Sequence, residues 1–70
     1  MGTKLLAVMA LLYEHEHNCE ITTFWDGGLR ARLGDQINGF IWSSGDWCYE
    51  DGDELADVLL VAAREKGLIP

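Results

Sequence analysis

Basic residues are scarce in this chain: five Lys and Arg stand against twelve Asp and Glu, for a formal net charge of −7 at pH 7. Nonspecific affinity for nucleic acid comes from neutralising phosphates with Lys and Arg, so nucleic acid is disfavoured as a partner. An anionic membrane surface is disfavoured for the same reason. Cysteine is sparse too. Two in 70 residues are too few for a disulfide-dense secreted scaffold, and Cys19 and Cys48 can pair only if the fold brings their Cα atoms within about 7 Å. Long apolar runs are absent: the longest, Leu5 to Tyr13, falls short of the roughly 20 residues that span a bilayer. Lys4 ahead of that run copies the opening of a secretory signal, but Glu14, His15, Glu16 and His17 follow where a small-residue cleavage site belongs. A cytoplasmic location with reduced thiols, and no membrane association, is therefore expected.

There is also too little chain for a second module. Domains need more than about 50 residues each, so residues 1–70 are read as one domain. With 49% hydrophobic and 24% charged residues, the composition is that of an ordinary globular protein. Conformational entropy opposes folding by roughly 1.5 kcal/mol per ordered residue, so most of the apolar residues have to be buried.

Residues 4–17 hold no Gly or Pro and are rich in Ala, Leu and Met, which predicts a helix with Thr3 as its cap and Asn18 as a left-handed terminator. Leu5, Met9 and Leu12 share one line along it, with Val8 beside them. Leu6, Ala10 and Tyr13 form a second line about 100° away. The apolar arc is wider than one sheet face needs, and the second line is a candidate homodimer face.

Residues 20–25 are β-branched and aromatic, and Asp26-Gly27 predicts a two-residue hairpin turn. The return strand, 29–34, alternates strictly: Leu29, Ala31 and Leu33 inward, Arg30 and Arg32 outward. Matching phase places Ile21, Thr23 and Trp25 inward, with Thr22 and Phe24 outward. A further strand is read at 37–42, where Asn38-Gly39 fits either a hairpin turn or a bulge, and a short one at 47–50. The final helix, 52–66, is the best marked. Asp51 is its N-cap, and Glu54 completes a capping-box pattern. Leu55, Val58, Leu59, Ala62 and Ala63 form its buried stripe, and Gly67 with Leu68 predicts a Schellman cap.

The expected fold class is α+β: one small domain of order α-β-β-β(-β)-α, an antiparallel meander sheet with both helices packed on one face. This order is similar in outline to that of double-stranded-RNA-binding domains, and its hairpins followed by a helix resemble loosely the small HicB-type domains. No motif carries either likeness. The helix start that an RNA-binding domain would present to phosphate is acidic here, at Asp51, Asp53 and Glu54.

Chemistry-bearing constellations are few. His15, His17, Cys19 and the distant Cys48 are the only set resembling soft-metal ligands, and they lack the close Cys pair of structural zinc sites. The acidic run from Asp46 to Asp57 does not place Gly and Glu as a calcium-binding loop requires. Neither Cys stands at a predicted helix N-terminus, and no phosphate-cradling glycine loop is present, so the chain reads as noncatalytic and without a cofactor. Aromatic residues beside arginines are enriched in interface centres. Phe24, Arg30, Arg32 and Trp42, together with the acidic Asp53, Glu54 and Asp57, are thus the candidate interaction face. The reading is an acidic protein-interaction domain, a regulator or inhibitor that binds a basic protein surface. A small metal-binding domain using the His/Cys set is the alternative, and a phage-type nucleic-acid mimic is a third.

Overall fold

The strictly alternating segment becomes the middle of the sheet. In the computed structural model, which describes residues 3–35, 37–45 and 49–70, the chain runs α1 (Thr3–Glu14), β1 (Asn18–Thr23), β2 (Leu29–Asp35), β3 (Gly39–Ser43) and α2 (Gly52–Glu65). The sheet is a three-stranded antiparallel meander of order β1-β2-β3. Leu29, Ala31 and Leu33 are buried beneath the helices. Ile21 lies opposite Ala31 and Cys19 opposite Leu33, so both share the inward face. Arg30 and Arg32 point the other way, as expected.

α1 packs on β1 and α2 on β2, and the helices pack against each other. Leu5, Val8 and Leu12 from α1 meet Leu55, Ala56, Leu59, Ala62 and Ala63 from α2 in one core. The stripe on α2 matches the expected one at Leu55, Leu59, Ala62 and Ala63 and differs in one member: Ala56 is buried and Val58 only partly so. Asp51 caps α2 by accepting the Asp53 N–H at 2.9 Å. At its other end Gly67 adopts φ +72°, and the Leu68 N–H returns to the Ala63 carbonyl, which tucks Leu68 and Ile69 into the core.

Several boundaries differ from the sequence reading. α1 stops at Glu14 instead of residue 17, and Thr3 is already helical. The left-handed terminator is Glu16, φ 63°, and not Asn18, which opens β1. The first hairpin is closed by Trp25, Asp26 and Gly27. The Phe24 N–H donates to the Gly28 carbonyl, Gly27 takes φ +94°, and Asp26 Oδ1 accepts the Gly28 N–H. That is a turn followed by a left-handed residue, one residue longer than the expected Asp26-Gly27 turn. Its consequence falls on Trp25, expected inward but carried on the loop and fully exposed.

The second hairpin resolves the Asn38-Gly39 alternatives in favour of both. Asp35 Oδ1 accepts the N–H groups of Ile37 and Asn38, so Ile37 stands in the turn, 91% exposed, and β3 begins only at Gly39. Those hydrogen bonds hold the Asp35 carboxyl below its ordinary pKa, the Asn38 backbone contact contributing most. A bulge follows, because Leu33 pairs with Trp42 but Gly34 pairs with Phe40, which leaves Ile41 as the extra residue. Gly34 is required there: a Cβ would stand 2.6 Å from the Gly39 carbonyl oxygen.

The strand expected at 47–50 is reduced, among the described residues, to one bridge. Tyr49 and Leu29 exchange backbone hydrogen bonds of 2.7 and 2.8 Å. Since the Ser44 N–H donates to the Ala31 carbonyl, Tyr49 returns to the edge of β2 that β3 already occupies, and no fourth position in the sheet is added. Trp47 lies outside the described residues.

Candidate functional site

The bulge decides which aromatic joins the arginines. Without it, alternation would place Phe40 inward. With Ile41 inserted, Phe40 lies opposite Gly34 on the outer face, where the Arg32 guanidinium sits 4.1 Å above its ring. Arg32 also donates through Nη2 and Nε to Glu20 Oε1, at 2.6 and 3.0 Å. Arg30 lies 5.4 Å above the Phe24 ring. The outer sheet face therefore carries two cation–aromatic pairs, and one of its two cations is neutralised within the chain.

Trp42 is not among them. It lies opposite Leu33, on the helix side, and with Asp57, Val58, Val61, Ala62 and Glu65 of α2 it lines an open groove of about 360 Å³. The residues expected to form one interaction face thus divide between two opposite sides. Phe24, Arg30 and Arg32 stand on the bare side of the sheet. Asp53, Glu54 and Asp57 are exposed on α2, whose buried side rests on the other face of that sheet. The helix layer separates them, so a single flat contact cannot cover both sets.

Helical spacing explains the groove. Glu54, Val58, Val61 and Glu65 recur at intervals of four, three and four residues and share one flank of α2, that nearest β3. Val61 is 54% exposed. Asp57, at the crest, pairs with Lys4 of α1 at 2.5 Å, and the hydrogen bond with Asp57 is the chief reason that the Lys4 ammonium is held above its ordinary pKa. The sequence reading missed Val61 and Glu65 because their importance depends on which strand α2 covers. Val61, beside the expected buried stripe of an acidic helix, was the available signal.

α1 presents a different surface. Leu6, Ala10 and Tyr13 are all exposed, Leu6 by 54% and Tyr13 by 83%.

The described members of the His/Cys set differ in exposure: His15 is exposed and His17 half-buried, while Cys48 lies outside the described residues. Cys19 turns toward the core, where burial pushes its thiol up to about 11. Among the described residues no group of three His, Cys, Asp or Glu side chains could hold a metal ion. His17 Nδ1 is shielded without a hydrogen-bond partner among those residues, beside Tyr13, Asn18 and Cys19. No described helix is long and apolar enough to cross a membrane. Comparison with protein-family models, curated proteins and solved structures gave no match to this chain.

Proposed function

We propose that this protein is a noncatalytic interaction module of the cytoplasm, a regulator or inhibitor that uses the acidic outer side of α2 to dock a basic surface of another protein. The observation that carries this reading is the exposure of Asp53, Glu54, Asp57 and Glu65 along one helix, directly beside the apolar Val58, Val61 and Trp42. Charge alone would serve solubility. Charge bordering a partly exposed apolar strip matches the anatomy of a recognition site, in which a desolvated centre sets lifetime and a polar rim sets encounter rate.

The test is kinetic. After affinity isolation of the partner, the double variant Asp53→Asn/Glu54→Gln should associate several-fold more slowly than the parent at low ionic strength, with a flatter salt dependence in surface plasmon resonance. Circular dichroism controls for the loss of Glu54 from the first turn of α2. Equal association rates at every salt concentration would assign these acids to solubility.

A second surface is favoured by a separate observation, the exposure of Leu6, Ala10 and Tyr13 on α1. α1 carries only Lys4 and Glu14 as charged residues, so two copies can meet there without bringing their acidic helices together. An isologous homodimer through this face is the corresponding proposal.

A further inference from the structure

The helix layer is shorter than the sheet beneath it. α1 covers β1 and α2 covers β2, while the inward side of β3, with Ile41 and Trp42 packed only partly against the core, extends beyond α2. The groove follows α2 from Asp57 to Glu65, about two helical turns or roughly 12 Å of axis. Its wall is Val58, Val61 and Ala62, and its floor includes Trp42. One side is thus a helix flank and the base is a strand, the same boundaries that α2 itself finds between α1 and β2.

We infer that this groove receives a basic amphipathic helix of a partner protein, laid alongside α2 over β3 as a third member of the helix layer. The inference rests on the basic-partner reading above and adds to it the site and the form of the partner. Apolar side chains of the incoming helix meet Trp42, Val58 and Val61, and its flanking Lys or Arg residues meet Glu54 and Glu65. Charge argues against either helix of a second copy of this chain as the occupant. α2 of another copy would bring like charge onto that rim, and α1 offers one cation, Lys4, already paired with Asp57. Insertion of α1 would also be a heterologous contact, which leaves a free groove on every added copy and does not close.

The probe is a synthetic helical peptide of about 18 residues with a Leu/Ala stripe flanked by Lys and Arg, titrated into the isotopically labelled full chain by NMR. A scrambled peptide of identical composition is the control. The amphipathic peptide should saturably shift the Trp42 indole and the Val58 and Val61 methyl signals. It should bind at least about tenfold more tightly than the scrambled one and weaken as salt is added. Val61→Asp and, independently, Glu65→Lys at an exposed position should each reduce its affinity about tenfold with unchanged circular dichroism.

Equal binding of both peptides, with shifts confined to Asp53, Glu54 and Asp57, would overturn the helix-in-groove inference and leave the basic-partner reading standing. Shifts centred on Phe24 and Phe40 would overturn it as well. Concentration-dependent shifts of the groove signals without peptide would assign the groove to a second copy and overturn it too. Absence of binding by either peptide up to about 1 mM would remove both readings together.

Discussion

α1 and α2 occupy the same layer, and each contributes fully buried leucines, yet their outer sides differ in charge. α1 shows solvent Leu6, Ala10 and Tyr13, with two charged residues over its length; α2 shows it Asp53, Glu54, Asp57 and Glu65. The core explains the inward sides of both helices. It explains neither outer side, because burial of Leu5 or Leu59 would be as complete with any soluble residue opposite. On the proposals made above, the difference belongs to what each helix would meet next: like meeting like across α1, and opposite charge across α2.

The inward equivalence should produce the largest effects. Leu12→Ala in α1 and Leu59→Ala in α2, both at fully buried positions, should each cost about 2–5 kcal/mol in urea unfolding. A cost confined to one helix would break the equivalence. The outward difference is sharpened next by Leu6→Glu and Tyr13→Glu. Sedimentation equilibrium should show the parent as a dimer at micromolar concentration and each variant as at least about tenfold more dissociated, whereas Asp53→Asn should leave the mass distribution unchanged. A monomeric parent at all concentrations would remove the self-association assigned to α1.

Cys19 probes the packing on β1, the strand that α1 covers. Its thiol stays protonated in the folded chain to about 11, whereas in the unfolded chain it ionises near the ordinary thiol value. The unfolded state then binds fewer protons between those limits, so stability declines as pH rises through that window and is unaffected below it. Because Cys19 is only half-buried, the decline should be on the order of 1 kcal/mol, well under the full value for such a shift. Cys19→Ala should flatten this part of the pH profile of urea unfolding. The smallest effect is expected from Lys4→Gln, which removes the one ion pair joining α1 to α2 among the described residues. Both partners lie at the surface, so the melting temperature should scarcely move.

Local rules made much of the fold legible. Alternation at Leu29 to Leu33 set the phase of two strands, and Asp51, Gly67 and Leu68 marked both ends of α2 from residue chemistry alone. What could not be read were events that depend on a second segment. Asp26-Gly27 is compatible with hairpin loops of two lengths, and the extra residue displaced Trp25 from the core face to solvent. The bulge at Ile41 arises where the backbone at Gly39 closes on Gly34, a contact 5 residues apart on two strands that no periodicity displays. For the same reason the exchange of Phe40 for Trp42 beside Arg32 was invisible. Of the candidate site, the acids and the apolar face of α1 were readable as surplus over what a core requires. The groove was not, since it exists only because two helices are laid over three strands.

The extra residue in β3 also bears on how the sheet resists growth at its margins. An open strand edge is a template: its regularly spaced N–H and C=O groups can recruit a strand from another molecule, and the process repeats. Ile41 breaks that spacing midway along β3, so an arriving strand loses register within a few residues. β1, at the opposite margin, pairs with β2 without a shift from Asn18 to Thr23 and keeps a regular free edge. Among the described residues β1 thus offers the more regular template for strand addition, and deletion of Ile41 should make the edge of β3 a second one.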